Sequence, residues 1–177
     1  MDSSISARHG THRGLAIAML ALVAATAFAA IAIYISLVEQ PARLVLEAPA
    51  ALMQWSLGYP TAMKIQGGLA LLCGALGAFL SFRTRNWLWL AGAVVAVANW
   101  PFTLVWLMPV NAVLLSTSAE QAGHDSQSLL AAWGHLHAVR SVLGLVAMAI
   151  FAAALLRDVH LLERRAPQEK YRASILR

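Results

Sequence analysis

Residues 14–38 read GLAIAMLALVAATAFAAIAIYISLV, 25 positions without an Asp, Glu, Lys or Arg. A helix needs about 20 mostly apolar residues to cross about 30 Å of hydrocarbon, so this run is long enough to span a bilayer. Ala25-Thr26-Ala27 and Ala27-Phe28-Ala29 resemble leader cleavage sites. The apolar run nevertheless exceeds the roughly 7–15 residues of a leader's core, and it is taken as a retained first span.

Three further uncharged runs follow: 18 residues at 65–82, 34 at 86–119 and 16 at 141–156. Together they predict spanning helices at about 14–38, 62–82, 87–115 and 134–157. Composition agrees. The 177-residue chain is 60% apolar and 12% charged, with a mean hydropathy of +0.67, whereas a soluble domain is about 45–50% apolar and about 25% charged. A soluble single-core domain, a disordered chain and a disulfide scaffold are excluded. Cys73 is the one cysteine, so there is neither an internal disulfide nor a cysteine metal cluster.

The basic residues sort by loop. Arg8 and Arg13, then Arg83 and Arg85, then Arg157, Arg164, Arg165, Lys170, Arg172 and Arg177 make ten of the 13. An excess of Lys and Arg marks the cytoplasmic side. The expectation is an all-α integral membrane four-helix bundle with both termini cytoplasmic, in a bacterial cytoplasmic membrane. Residues 1–13 and 158–177 would be cytoplasmic tails around a single domain at 14–157. The net charge of +5 then needs no nucleic acid to explain it; it sets orientation and favours anionic headgroups.

The first outer segment, residues 39–59, is half apolar. It predicts a short amphipathic helix in the first outer loop, broken at Pro41, Pro49 and Pro60. That helix would be anchored at the interface by Trp55 and Tyr59, or would serve as a lid over a pocket. Residues 116–129 are polar and predict an exposed loop. Ala70, Gly74 and Ala78 place small residues four apart, which lets a neighbouring helix approach closely; internal packing is favoured over a homo-oligomer face. Pro101 and Pro109 interrupt the third helix, and the carbonyls they free must find partners within the protein.

The fourth helix carries polar residues that a membrane span ordinarily avoids. Its uncharged stretch covers only about 24 Å, which draws Arg140 into the outer edge of the hydrocarbon. Trp133, His137 and Arg140 fall at i, i+4 and i+7, on one face, while His135 points elsewhere. Counting about 1.5 Å per residue from the basic ends puts Glu39, Asn111, His137 and Arg140 near one boundary, with Arg43 and Lys64 at that level. Asn99 comes out near mid-membrane. Ionisable residues at such depth face the bundle interior or a wet cavity.

Taken singly, each has a plain structural reading: a neutralising ion pair for Glu39, a backbone cap for Asn111, a satisfied interfacial histidine for His137. Taken together they form an acid/base pair, a fixed cation and an amide. Trp133, Trp106 and Trp55 would form an aromatic wall at the mouth of a pocket. His137 is the natural proton acceptor, and Arg140 suits a developing oxyanion. Asn99 and Arg43 would line the substrate space. Glu39 and His137 supply two ligands where zinc normally takes three or more, so no metal site is assigned; haem or copper stays open as an alternative.

Glu39-Gln40-Pro41-Ala42-Arg43, then Gln54-Trp55 and Tyr59, then Pro109-Val110-Asn111 with Leu114, then Trp133 through Arg140 form a pattern. It resembles the anthrone-oxygenase-like family of small four-helix membrane proteins, over about residues 14–157. The residue after Glu39, often His in that family, is Gln40 here. The resemblance implies a membrane oxidoreductase, an O2-dependent oxygenase of a small lipophilic aromatic or quinol-like substrate, with no protein cofactor required. Asn111, His137 and Arg140 would be its reactive positions, supported by Glu39 and Trp133. The competing functions are a non-catalytic haem-, metal- or lipid-ligand-binding membrane protein and an accessory membrane subunit.

Overall fold

The structure is a computed structural model that describes the backbone of residues 2–175 and the side chains of residues 14–164. The predicted tail residues Arg8, Arg13, Arg165, Lys170, Arg172 and Arg177 lie outside the described side chains. Four helices are long and apolar enough to cross a membrane: α1 (Gly14–Leu44), α2 (Ala48–Thr84), α3 (Trp87–Ser116) and α4 (His124–Arg164). They imply a bilayer environment. The backbone of α1 is already helical from Asp2, and that of α4 continues to Ile175.

Each of α1 and α3 packs against both α2 and α4. Small residues make this close packing work. Ala18, Ala21, Ala24, Ala25, Ala93, Ala96, Ala147 and Ala154 are buried around Trp89 and Phe151. A Cβ on Gly77 would come within 2.9 Å of the Phe151 ring, and one on Gly92 would overlap it. Gly74 of the expected small-residue stripe faces Val97 of α3, which is internal packing.

At one end, α3 is tied to α4. The Asn86 side-chain amide donates to Asp158 at 2.8 Å and to the Ala154 carbonyl at 3.0 Å. The Trp89 indole N–H donates to the other Asp158 oxygen at 2.8 Å. The start of α1 is also here, with Gly14 beside Arg83. The opposite end holds a second core of Ile35, Leu52, Trp55, Tyr59, Leu107, Leu114, Leu130 and Trp133.

Two prolines are accommodated by widened turns. The π turns Ile35–Glu39 and Thr103–Leu107 immediately precede Gln40-Pro41 and Met108-Pro109. A proline ring clashes with the carbonyl four residues back, which for Pro41 and Pro109 lies inside the π turn. At Pro101 the helix is interrupted near Ala98, and Asn99 donates to the Ala96 carbonyl at 3.1 Å.

The short helix expected in the first outer loop is absent. The chain breaks only around residues 45–47, and Ala48 onward is the start of α2 itself. Pro49 sits in the first turn, where its missing N–H costs nothing, and Pro60 is carried inside the helix. Trp55 and Tyr59 are not interfacial anchors: they are 1% and 9% exposed. The connection between α3 and α4 is shorter than expected, because α4 begins at His124. It holds one 3₁₀ turn, Ala119–Gln121, closed by a reciprocal Ser118–Gln121 cap.

Candidate active site

The fourth-helix motif and its partners meet in a cavity of about 750 Å³ between α1, α2 and α4. Trp133, His137 and Arg140 form its α4 wall. Spacing of four and three residues puts them on one stripe, and all three are buried. On α1 the wall is Ile31, Ile35, Glu39 and Arg43, and on α2 it is Trp55, Tyr59, Met63 and Gln66. Exposed lining residues come only from α1 and α2, among them Tyr34 and Ile65. The mouth therefore lies between those two helices.

One side of the wall is a continuous aromatic stack. Tyr59 lies flat on Trp55 with centroids 4.7 Å apart. Trp55 meets Trp133 edge-on at 6.0 Å, and Trp133 stacks on the His137 ring at 4.9 Å. Asn111 does not reach the cavity. It stands behind the stack: its amide donates to the Tyr59 hydroxyl at 2.7 Å, and its carbonyl accepts from the Trp133 indole at 2.9 Å. It holds two rings of the wall at once.

Arg43 is a fully engaged cation. It pairs with Glu39 at 3.6 Å, donates to Gln40 at 2.6 Å and to Gln54 at 3.2 Å, and lies 5.7 Å over the Trp133 ring. Gln40 donates onward to the Leu130 carbonyl at 2.6 Å. Gly134 permits this, because a Cβ there would lie 2.6 Å from the Gln40 amide nitrogen. Gln40 thus braces α1 against α4 and is not part of the cavity wall.

Arg140 is different. Only 5% exposed, it has no carboxylate partner among the described residues, and its guanidinium lies 5.9 Å from the centre of the Phe28 ring. Among the described residues its Nε has no hydrogen-bond acceptor, and neither do the Trp55 indole N–H and the Gln66 amide nitrogen. All three residues line the cavity. Buried donors are ordinarily satisfied, so three unsatisfied ones around one space leave donors free for a ligand's acceptor oxygens. A smaller cavity of about 300 Å³ shares Met63, Gln66 and Arg140 with the first. It adds Lys64 and Asn99, whose Oδ1 is also unpartnered.

Six of the expected residues, Glu39, Arg43, Trp55, Trp133, His137 and Arg140, come together around the main cavity. Asn99 lies in the adjoining one, and Asn111 behind the wall. Trp106 is apart from both, 53% exposed on the outer face and stacked on Phe102. His135 is exposed, as its position two residues from His137 implies. No group of three His, Cys, Asp or Glu side chains suited to a metal forms among the described residues.

Reasoning from sequence did not single out Ser36 or Ser141. Ser36 lies 3.1 Å from His137 Nδ1 and 2.8 Å from Ser141. Ser141 was findable: it is four residues beyond His137, one turn further along the same face. Ser36 was not, because its orientation depends on the π turn.

No curated protein and no solved structure matches the chain. The family model for anthrone oxygenase does match, over residues 55–150, just over half of the chain. That stretch holds Trp55, Asn111, Trp133, His137 and Arg140, while the α1 side of the cavity precedes it. The chain belongs to the anthrone oxygenase family.

Proposed function

We propose that the protein is an O2-dependent membrane oxidoreductase that oxidises a lipophilic, oxygen-bearing aromatic, an anthrone or a related quinol-like compound, in the α1/α2/α4 cavity. Arg140, buried and without a carboxylate partner among the described residues, carries this reading. A charge held out of water without a partner costs several kcal/mol by the general order of such penalties, and function is the usual reason for keeping one in a membrane helix. An enolate or phenolate oxygen in the cavity would supply the missing counter-charge.

The reaction balances without a further reductant. His137 takes a proton from the acidic ring CH2 of the anthrone, whose carbonyl oxygen gains the charge and lies against Arg140. The carbanion gives its electrons to O2, forming a C–O bond and a peroxide at that carbon. Loss of water from the peroxide leaves the second carbonyl. One anthrone and one O2 thus become one anthraquinone and one water. The stacked Tyr59 and Trp55 rings, with Trp133 edge-on to Trp55, offer aromatic surface for a planar ring system. Asn111 acts behind that wall as a positioning residue, and Glu39 holds Arg43.

Orientation follows the positive-inside rule. The end bearing Arg83, Arg85, Arg157 and Arg164 faces the cytoplasm, which puts the cavity in the outer half of the membrane. The mouth between α1 and α2 opens to the acyl chains, so the substrate enters sideways from the lipid.

Binding tests the site directly. Anthraquinone titrated into protein in lipid nanodiscs should quench the emission of Trp55 and Trp133 saturably, and Arg140→Met should weaken that binding about tenfold or more, the loss of a hydrogen bond to a charged group. No saturable quenching by anthraquinones, anthrones or quinols overturns the proposal.

A further inference from the structure

His137 Nδ1, Ser36 Oγ, Ser141 Oγ and the Ala32 carbonyl form an unbroken chain, with contacts of 3.1, 2.8 and 2.9 Å. The links run between α1 and α4. Each hydroxyl has one proton to give, and the chain ends on a carbonyl, which only accepts. Three short contacts therefore need three protons, all pointing the same way. Ser141 donates to Ala32, Ser36 donates to Ser141, and the third proton must come from the His137 ring at Nδ1. The opposite direction, with Ser36 donating to the ring and Ser141 donating to Ser36, leaves two oxygens facing each other at 2.9 Å with no proton between them.

We infer that Ser36 and Ser141 are positioning residues that fix the tautomer of His137, holding its proton on Nδ1 and leaving the Nε2 lone pair bare. Nε2 has no protein partner among the described residues, and His137 lines the cavity. A histidine ring has two nitrogens, and which one is the base is set by the bond the other makes. The stack on Trp133 fixes the plane of the ring, and the serine chain fixes its protons. Its value to catalysis rests on the proposed role of His137 as the proton acceptor; the tautomer itself does not.

Nitrogen NMR of histidine-labelled protein in nanodiscs at mildly alkaline pH tests this, with the His137 signals assigned by difference from His137→Gln. Wild type should show a protonated Nδ1 and a bare Nε2. Ser141→Ala never touches the ring, yet it deprives Ser36 of its acceptor. The Ser36 hydroxyl should then turn to Nδ1, and the ring proton should move to Nε2. Ser141→Thr keeps a hydroxyl and should restore the wild-type pattern. With a turned-over substrate, Ser141→Ala should lower kcat by about 10²–10⁴-fold, the range of a positioned base, with KM little changed.

A wild-type ring protonated on Nε2, or on both nitrogens, overturns the inference. So does a Ser141→Ala spectrum identical to wild type. The predicted tautomer in a protein that consumes no O2 leaves the serine chain standing and defeats the oxygenase reading instead. Turnover that needs His137 but shows the proton on Nε2 does the reverse.

Discussion

Arg140→Met removes a buried positive charge while keeping an unbranched side chain of similar reach. Two effects oppose each other. Replacing buried ionic groups by apolar residues of similar volume is often stabilising by about 1–4 kcal/mol, and here no carboxylate is orphaned by the change. Against this, the cation over the Phe28 ring at 5.9 Å contributes roughly 0.5–2 kcal/mol that the variant loses. Subtracting the second range from the first leaves a net change between a loss of about 1 and a gain of about 3.5 kcal/mol, centred on a gain of about 1, or roughly 2–4 °C in Tm at about 2–4 °C per kcal/mol for a chain of this size. Turnover should move the other way, falling by about 10²–10³-fold as when one oxyanion donor is removed. Thermal unfolding in detergent, read beside O2 uptake on the same preparations, gives both numbers. A variant that melts several degrees lower and oxidises substrate as well as wild type would make Arg140 a structural cation and refute the reasoning.

Asn111→Leu strands the Trp133 indole N–H and removes the bond to Tyr59; at about 1–3 kcal/mol for a stranded buried donor and about 1 for the lost bond, it should destabilise by roughly 2–4 kcal/mol. Its Tm should fall, and its substrate affinity with it, measured by unfolding and by fluorescence titration. Gly134→Ala drives a methyl into Gln40 and should cost about 1–3 kcal/mol, with part of the loss recovered in the Gly134→Ala, Gln40→Ala double variant by the same melting assay. Trp106→Leu, on the outer face, should leave kcat and KM within twofold of wild type in the oxygen assay, a bound set by surface substitutions changing energies by about 0.5 kcal/mol or less.

The number of long helices was legible because charge is so scarce. Runs of 16 to 34 uncharged residues have few readings other than spans. Helix ends were less legible. Three prolines between residues 41 and 60 look like breaks, yet Pro49 occupies a first turn and Pro60 is absorbed within α2. The true break, around residues 45–47, bears no proline at all. Trp55 and Tyr59 illustrate the same limit: aromatics suit an interface or a buried wall equally, and only the packing of α2 against α1 and α4 decides.

Within the site, helical periodicity was enough to align Trp133, His137 and Arg140, since a straight helix preserves spacing. It could not place residues across helices. Asn111 has the right depth to touch a substrate, but its side chain is consumed by Tyr59 and Trp133. Trp106 faces outward from within a π turn, Thr103–Leu107, that shifts the phase of α3. Ser36 lies in the equivalent turn of α1, so a regular helix drawn from the sequence misplaces it.

Oxygen consumption by purified, lipid-reconstituted protein given an anthrone tests the central claim most directly. The account predicts one O2 consumed per anthraquinone formed, with kcat falling by about 10²–10⁴-fold in His137→Ala and about 10²–10³-fold in Arg140→Met. Uptake that is unchanged in both variants would contradict the site, and no uptake by wild type with any anthrone or quinol would contradict the function.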